Sequence, residues 1–419
     1  MEEKARPGGN CPMDFKAVAI TVFILVYLYQ LLLSVIGMRS EKNPIPANVA
    51  DVYDQETYER WRAYHAEKSR FGILTSTASF VIDLVLLVSN AYAAFAGLFP
   101  ANPVTQVFAV MLLPALTSIL LLPFAWHNTM VIEEKYGFNR TTPRTFWADQ
   151  VKEFVISLGL LTGIGALLIW VHQALGDWLV PVFAALMTLF MMLFSFLYPV
   201  MSKIFNKFEP LEEGELRGKL AGLLEKNGYH VRDIKVMDAS RRTTKSNAYF
   251  TGFGKMKTIV LYDTLVQSMT ADEICAVFAH EMGHGLNRDT LKNNILSFFQ
   301  MLLIGAMAFL ILREKGIFTS CGFDGVNYGF AVTVIAAFLG VLSPLTGYVI
   351  NAHSRRAEYR ADAQAVREGY AEQLITGLKK LSRDNYADLS PDKLLVKLTY
   401  SHPPLSMRID AIRNRKQGA

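Results

Sequence analysis

The sequence predicts a mostly α-helical integral membrane protein with about seven transmembrane helices and a polar domain outside the membrane. Of its 419 residues, 52% are apolar or aromatic, and the mean hydropathy is +0.24. A bilayer-spanning helix needs about 20 consecutive, mostly apolar residues, because lipid offers no partner for free backbone N–H and C=O groups. The stretches that meet this requirement are 17–37, 72–98, 104–125, 154–174, 178–200, 294–312 and 328–350.

Lysine and arginine predict the orientation of these spans. They cluster after the first and third spans, in a long polar loop at 39–70 and again at 135–152, whereas the connections 99–103 and 175–177 carry none. Basic residues of short loops stay on the cytoplasmic side. We therefore expect an outside N-terminus and a cytoplasmic C-terminus, and the short connections favour a bacterial plasma membrane over the endoplasmic reticulum.

The spans divide the chain into four parts. A five-span region (1–200) is followed by a polar piece (201–293), a hairpin of two spans (294–350) and a second polar piece (351–419). A two-span hairpin returns the chain to the face it left. We therefore expect the two polar pieces to form one domain on the cytoplasmic side.

The first polar piece has recognisable elements. Helical spacing covers 213–227, and segments rich in Val, Ile and Tyr predict strands at 230–237 and 257–262. Thr270, with Glu273 three residues later, predicts a capping box at the start of another helix.

Charge and cysteines exclude other classes. The net charge of +5 is what basic membrane loops produce, so no nucleic-acid partner is expected. Nothing in the sequence indicates an oligomeric state. The cysteines show no C-x-x-C spacing and predict small buried side chains rather than a disulfide framework; they are Cys11, Cys275 and Cys321.

The helix that starts near Thr270 contains an H-E-x-x-H motif. His280 and His284 lie one turn apart on one face, so both imidazoles can reach one zinc ion. Glu281, beside the first ligand, is positioned to take the proton of a water molecule. Gly283 allows a close approach to this helix. The alternative interpretation is two surface histidines beside an ordinary acid.

A catalytic zinc site needs a third protein ligand. Glu358 and Asp362 share one helix face just after the last span. In thermolysin-like enzymes a Glu is the third ligand, and an Asp four residues later orients a zinc-bound histidine. The alternative is an exposed helix with ion pairs to Arg355 and Arg360. Weaker candidates for the third ligand are Asp289 and His353.

Six segments occur in a distinctive order and spacing. They are 133–142 (EEKYGFNRTT), 246–250 (SNAYF), 259–265 (IVLYDTL), 280–284 (HEMGH), 358–362 (EYRAD) and 401–404 (SHPP). In this order they resemble the type I CAAX prenyl protease family, membrane zinc peptidases of the gluzincin kind. The resemblance covers most of the chain.

The resemblance implies a ring of seven transmembrane helices around a hydrated chamber, with one Zn²⁺ per chain at its cytoplasmic end. Asp83, the one acid inside the second span, fits such a hydrated wall, or else a helix end near the interface. The implied substrate is a peptide or protein, possibly prenylated, cut near its C-terminus in contact with the bilayer. Related bacterial peptidases imply an alternative, membrane-protein quality control.

Three further segments are predicted to act on the substrate. Asn247 and Ala248 lie where an exposed strand edge could pair with an extended peptide. His402, before two prolines that fix the backbone, could donate to the developing oxyanion, with Arg408 as a second candidate. Each has a purely structural alternative. A transporter or scaffold with an incidental H-E-x-x-H is disfavoured by the absence of inverted repeats.

Overall fold

Long apolar helices make up most of the structure, a computed structural model that describes residues 14–202, 204, 206–228, 233–245, 247–251 and 258–417. Within these residues, six helices are long and apolar enough to cross a membrane, and a shorter apolar stretch, Leu179–Phe194, corresponds to the predicted span 178–200. The helices are α1 (Phe15–Ser40), α2 (Gln55–Val88), α3 (Ala91–Ala96), α4 (Pro103–Ser118), α5 (Leu122–Trp126), α6 (Pro143–Leu175), α7 (Leu179–Ser202), α8 (Glu215–Lys226), α9 (Asp263–Ser268), α10 (Ala271–Leu286), α11 (Asp289–Arg313), α12 (Lys315–Thr319), α13 (Tyr328–Arg367), α14 (Ala371–Asp384), α15 (Lys393–Thr399) and α16 (Leu405–Gln417).

Helix α2 starts much earlier than the predicted span. It follows Asp54, whose side chain accepts a hydrogen bond from the Thr57 N–H at 2.7 Å and so satisfies a free donor of the first turn. Trp61 and Tyr64, three residues apart on this helix, are both buried. The expectation of a polar loop over 39–70 is therefore wrong for its second half, because the aromatic face of the helix packs against the rest of the protein.

The same helix also ends earlier than predicted. The span 72–98 is interrupted after Val88, because Asn90 adopts a left-handed backbone conformation with φ of 56°. The short helix α3 then begins. Asparagine tolerates this conformation better than most residues, and it ends the regular helical path.

A cavity of about 430 Å³ lies among α1, α2, α4, α6 and α13. Its lining is mostly apolar and includes the polar side chains of Asp83, Gln30 and Thr333. Asp83 lines this cavity in the part of α2 remote from its buried aromatic residues, five residues before the helix ends at Val88, so the hydrated wall and the helix end near the interface both stay predictions.

A four-stranded sheet follows the seventh helix, with strand order β1-β2-β4-β3. The predicted strands correspond to β2 and β4, which pair in parallel, although residues 230–232 and 257 lie outside the described residues. The third strand pairs antiparallel with β4 and forms one edge of the sheet. The strands are β1 (Phe208–Pro210), β2 (Asp233–Met237), β3 (Ala248–Thr251) and β4 (Thr258–Tyr262).

Helix α10 begins with the predicted capping box. The Thr270 hydroxyl accepts a hydrogen bond from the Glu273 N–H, and the Glu273 carboxylate accepts one from the Thr270 N–H at 2.8 Å. Lys380 of α14 also binds this carboxylate, at 2.6 Å. The start of the motif helix is thus fixed both locally and by a neighbouring helix.

The two polar pieces of the chain share one hydrophobic core. Leu220 and Phe278 of the first piece and Leu374 and Ile409 of the second belong to the same buried cluster, which also includes Trp61 of α2. Apolar burial of this kind contributes about 25 cal/mol per Å². The cluster therefore holds α10 against the helices that follow the last span.

Helices α10 and α13 touch at Gly283. A Cβ atom added there would lie 2.8 Å from the Ala361 Cα and 3.0 Å from the Gln364 Cβ, closer than such atoms pack. Only a residue without a side chain fits this crossing. The close approach brings the H-E-x-x-H motif next to Glu358 and Asp362.

Candidate metal centre

His280, His284 and Glu358 meet between α10 and α13. The Nε2 atom of His280 lies 3.5 Å from the Glu358 Oε2 atom, and the Nε2 atom of His284 lies 3.3 Å from the Glu358 Oε1 atom. One donor atom from each residue lies within 4.8 Å of the others. The structure therefore brings together the three residues that the sequence analysis selected as ligands.

The arrangement fits zinc. Two atoms bound to one zinc ion at about 2.0–2.1 Å in tetrahedral geometry lie about 3.3–3.4 Å apart, close to these separations. Two imidazoles and one carboxylate are also a known catalytic zinc donor set. The Oε2 atom of Glu358 is buried and makes no hydrogen bond to the residues that the structure describes; its charge is faced by Arg408, whose Nη1 atom lies 3.4 Å away.

The electrostatic surroundings favour a positive charge at this point. Burial acts to lower the pKa of His284, but the Glu358 carboxylate, with Glu281 and Asp289, outweighs it and raises the pKa to about 9. Burial raises the pKa of Glu281 above its ordinary value, while the neighbouring histidines act against the rise. A carboxylate with a raised pKa is a better proton acceptor near neutral pH.

Asp362 contacts His280 from the side opposite Glu358. Its Oδ1 atom lies 2.8 Å from the His280 Nδ1 atom, and Arg408 donates to both carboxylate oxygens, at 2.6 and 3.0 Å. The His280 Nδ1 atom lies closer to this carboxylate than to the Arg408 Nη2 atom, at 3.3 Å, so the ring donates from Nδ1 to the carboxylate, which can only accept, and Nε2 is left free to bind a metal. Arg408, predicted as a possible oxyanion donor, is buried in this pair, with Nη1 3.4 Å from Glu358.

The alternative of an exposed helix with ion pairs is wrong. Glu358 and Asp362 are 4% and 1% exposed. Arg355 donates instead to backbone carbonyl groups of α15 and of the residue after it, and Arg360 pairs with Asp289. The weaker candidate His353 does not belong to the group of three donors found among the described residues.

Asp289, a weaker candidate for the third ligand in the sequence, has a different place in the structure. Its Oδ2 atom lies 3.0 Å from the Nδ1 atom of His284, the ring nitrogen that does not face Glu358. Its other oxygen accepts a hydrogen bond from Arg360 at 2.9 Å. A helix break separates Asp289 from the motif, so helical periodicity gave no signal for this contact.

A cavity of about 310 Å³ opens beside these residues. Glu281 and His402 line it, and the His402 Nε2 atom lies 3.3 Å from the Glu358 Oε1 atom. The side chain of His402 is 65% exposed, so it remains open to a bound molecule. Apolar side chains that no sequence motif singled out form another part of the lining; they are Val277, Leu374, Leu378 and Leu381.

Asn247 and Ala248 lie at the rim of the same cavity. The Asn247 carbonyl group accepts the Tyr262 N–H at 3.0 Å, and its side-chain oxygen accepts the N–H of Ala248. Strand β3, which begins at Ala248, pairs on one side with β4 and forms the sheet edge. The predicted strand edge is therefore next to the metal centre; Ser246 lies outside the described residues.

Comparison with known families covers nearly the whole chain. Residues 34–207 match the family described as CAAX prenyl protease N-terminal, five membrane helices. Residues 210–416 match peptidase family M48. The boundary between the two matches falls at β1, the first strand of the sheet.

Curated relatives and a solved structure match over similar lengths. The CAAX prenyl protease 1 homologue of Arabidopsis thaliana is 33% identical over 96% of this chain and 98% of its own length. The Homo sapiens homologue is 30% identical over 94% of each chain. The crystal structure of S. mikatae Ste24p superposes with a TM-score of 0.88 at 27% identity, covering 95% of this chain and 99% of that one.

Proposed function

The chain belongs to the type I CAAX prenyl protease family of membrane zinc metallopeptidases, and on that basis we propose how its residues cleave a peptide. It is a zinc membrane protease of CAAX processing, so the transporter or scaffold interpretation is set aside. We assign one zinc ion per chain to His280, His284 and Glu358. The observation that carries the assignment is the pair of donor separations, 3.3 and 3.5 Å.

We assign the proton transfers to Glu281. A bound zinc ion polarises a carbonyl group and lowers the pKa of water. Glu281 lines the cavity and has a raised pKa, so it accepts the proton of the attacking water and passes it to the departing amine. His402 donates a hydrogen bond from its exposed ring to the carbonyl oxygen as charge develops there. Arg408 holds Asp362, which orients His280.

The substrate peptide is proposed to lie along β3. Among the described strands β3 has a partner on one side alone, so its other edge can pair with an extended backbone, and Asn247 and Ala248 are the residues here that line the cavity. Val277, Leu378 and Leu381 offer an apolar wall to a side chain next to the scissile bond. Two aliphatic residues follow the modified cysteine of a C-a-a-X sequence. The lining therefore supports a prenylated C-a-a-X peptide as the substrate.

Prenylation can be tested with matched peptides. We expect a farnesylated C-a-a-X peptide to be cleaved with a kcat/KM at least about tenfold higher than its unprenylated twin, because burial of two methylene groups alone contributes about 1.6 kcal/mol. Release of the last three residues by purified protein in lipid vesicles gives both values. A farnesylated peptide with aspartate at both aliphatic positions serves as the control for the apolar wall.

The two functional alternatives predict different results in this assay. Equal cleavage of the farnesylated and unprenylated peptides would contradict recognition of the prenyl group and favour a membrane quality-control peptidase. Cleavage of the aspartate peptide at the full rate would show that the apolar wall does not recognise the aliphatic side chains of the substrate.

We propose that 201–293 and 351–419, which are linked by the transmembrane hairpin 294–350, form one peptidase domain at the cytoplasmic face after the five-span region 1–200. The shared core of the two polar pieces supports one domain, and the basic loops support the side. The expectation of a bacterial plasma membrane rested on short connections. Since eukaryotic relatives match over nearly their whole length, short connections do not distinguish the two kinds of membrane.

The side of the membrane can be tested by cysteine labelling. Glu213 lies before α8 with 85% of its side chain exposed, so a cysteine there is open to reagent. In a background with Cys11 replaced by serine, we expect a membrane-impermeant maleimide to label Glu213→Cys only after the cytoplasmic face is exposed. The remaining cysteines, Cys275 and Cys321, are buried, so the protein without the Glu213→Cys change measures the background labelling. Labelling of this cysteine in intact cells would show that Glu213 faces the outside, which is the opposite of the proposed topology.

A further inference from the structure

We propose that Asp289 is a positioning residue for the zinc centre, which fixes the ring of His284 and is itself held by Arg360. The proposal rests on the zinc site proposed above. It adds a second orienting carboxylate to that site. This carboxylate contacts His284, the histidine for which the sequence pattern supplied no partner. Asp289 is not a metal ligand in this proposal, because it contacts the ring nitrogen that does not face Glu358.

The contacts of Asp289 are those that orientation of a ligand requires. Its Oδ2 atom lies 3.0 Å from the His284 Nδ1 atom, and its Oδ1 atom accepts from Arg360 at 2.9 Å, with the Lys292 Nζ atom 3.6 Å from the same oxygen. Asp289 is only 3% exposed, whereas His284 and Arg360 are partly open. The carboxylate accepts the Nδ1 proton, so it fixes the tautomer whose Nε2 atom is free for zinc.

The backbone explains how Asp289 reaches the motif. Helix α10 ends at Leu286, and Arg288 has a left-handed backbone conformation with φ of 54°. This conformation is uncommon outside glycine, asparagine and aspartate. It separates two helices and places Asp289, the first residue of α11, beside His284. If α10 continued without interruption, the break that gives Asp289 this position would be absent.

The two ligand histidines are then supported in the same way. His280 contacts Asp362, which Arg408 holds, and His284 contacts Asp289, which Arg360 holds. Each arginine keeps the charge of a buried carboxylate balanced. Asp289 opens the first helix of the membrane hairpin and Arg360 lies on the second, so the hairpin supports the second histidine from both of its helices.

The test measures zinc affinity of the full-length protein in detergent. We expect Asp289→Asn to weaken zinc binding by about 10–100-fold, the range found when such a partner of a ligand histidine is lost. Asp362→Asn should weaken zinc binding by a factor in the same range. Arg360→Gln should weaken zinc binding by less, because Asp289 keeps its contacts with His284 and Lys292 but loses the guanidinium group that fixes its second oxygen. Zinc dissociation constants come from competition with a chromophoric chelator after metal removal.

A matched control separates positioning from stability. Glu273 is a buried carboxylate at the other end of α10, paired with Lys380, and is remote from the candidate ligands. Glu273→Gln should lower the unfolding temperature and leave the zinc dissociation constant unchanged. An acid at the start of α11 also stabilises that helix. If Asp289 had only this structural role, Asp289→Asn would, like Glu273→Gln, lower the unfolding temperature and leave the zinc dissociation constant unchanged.

The outcomes distinguish this proposal from the zinc site on which it rests. If Asp289→Asn and Arg360→Gln bind zinc like the unmodified protein, while His284→Ala does not, Asp289 has no positioning role. If His284→Ala itself retains full zinc affinity, the ligand set is wrong. Should Asp289→Asn fail to fold, Arg360→Gln decides: unchanged affinity in that variant overturns the proposal.

Discussion

Replacement of Glu281 by glutamine is expected to reduce peptide hydrolysis by about 10²–10⁴-fold while zinc stays bound, because an amide has the shape of the carboxylate but cannot accept the proton. The three candidate ligands do not include Glu281, which lines the cavity beside them. Its neighbours in α10 are fully packed, so the substitution leaves the helix in place. Zinc per chain by elemental analysis and kcat on a C-a-a-X peptide are the two measurements.

Glu273→Gln is the control, since it makes the same chemical change on the same helix, away from the candidate metal centre. It should keep both zinc and the rate of hydrolysis at a temperature where it is folded. Parallel loss of zinc and activity in Glu281→Gln would make Glu281 a ligand and would reassign the base.

Removal of Glu358 is expected to have the largest effect on the metal. In Glu358→Ala only two histidines remain, so zinc affinity should fall by more than the roughly 100-fold upper range for loss of an orienting carboxylate. Peptide hydrolysis should be lost with the metal. The dissociation constant is measured by chelator competition, on protein whose folding is checked by size-exclusion chromatography.

Glu368→Ala is the matched control for this variant. Glu368 lies at the C-terminal end of the same helix, its side chain is 6% exposed, and it pairs with Lys226. This change removes a carboxylate of similar burial and should leave zinc binding intact. Unchanged zinc binding in Glu358→Ala would show that another residue is the third ligand.

Local spacing predicted the parts of the site that lie on uninterrupted helices. His280 and His284, and likewise Glu358 and Asp362, are four residues apart, and each pair shares a helix face in the structure. The capping box at Thr270 was predicted for the same reason, because all its partners are within one turn. Such patterns depend on helical geometry alone.

Contacts across helix breaks and between distant elements were not predictable in this way. Asp289 reaches His284 only because Arg288 turns the backbone, which no periodicity reveals. Arg408 could be named as a charge near the site, but its pairing with Asp362 depends on the packing of α16 against α13.

Two further elements show how tertiary packing overrides composition. The segment after α1 is rich in charge, yet Trp61 and Tyr64 direct one face of α2 into the protein. Leucines of α14 such as Leu374 and Leu378 have the spacing of an ordinary core-facing helix, and only the fold shows that part of this face borders the cavity.

The crossing of α10 and α13 at Gly283 also governs when the protease becomes competent during its synthesis. Two candidate ligands leave the ribosome on α10, but Glu358 follows only after both helices of the hairpin 294–350. The third donor reaches the histidines by docking of α13 onto the glycine surface of α10. A nascent chain therefore cannot carry all three candidate ligands until the last two long apolar helices have been synthesised.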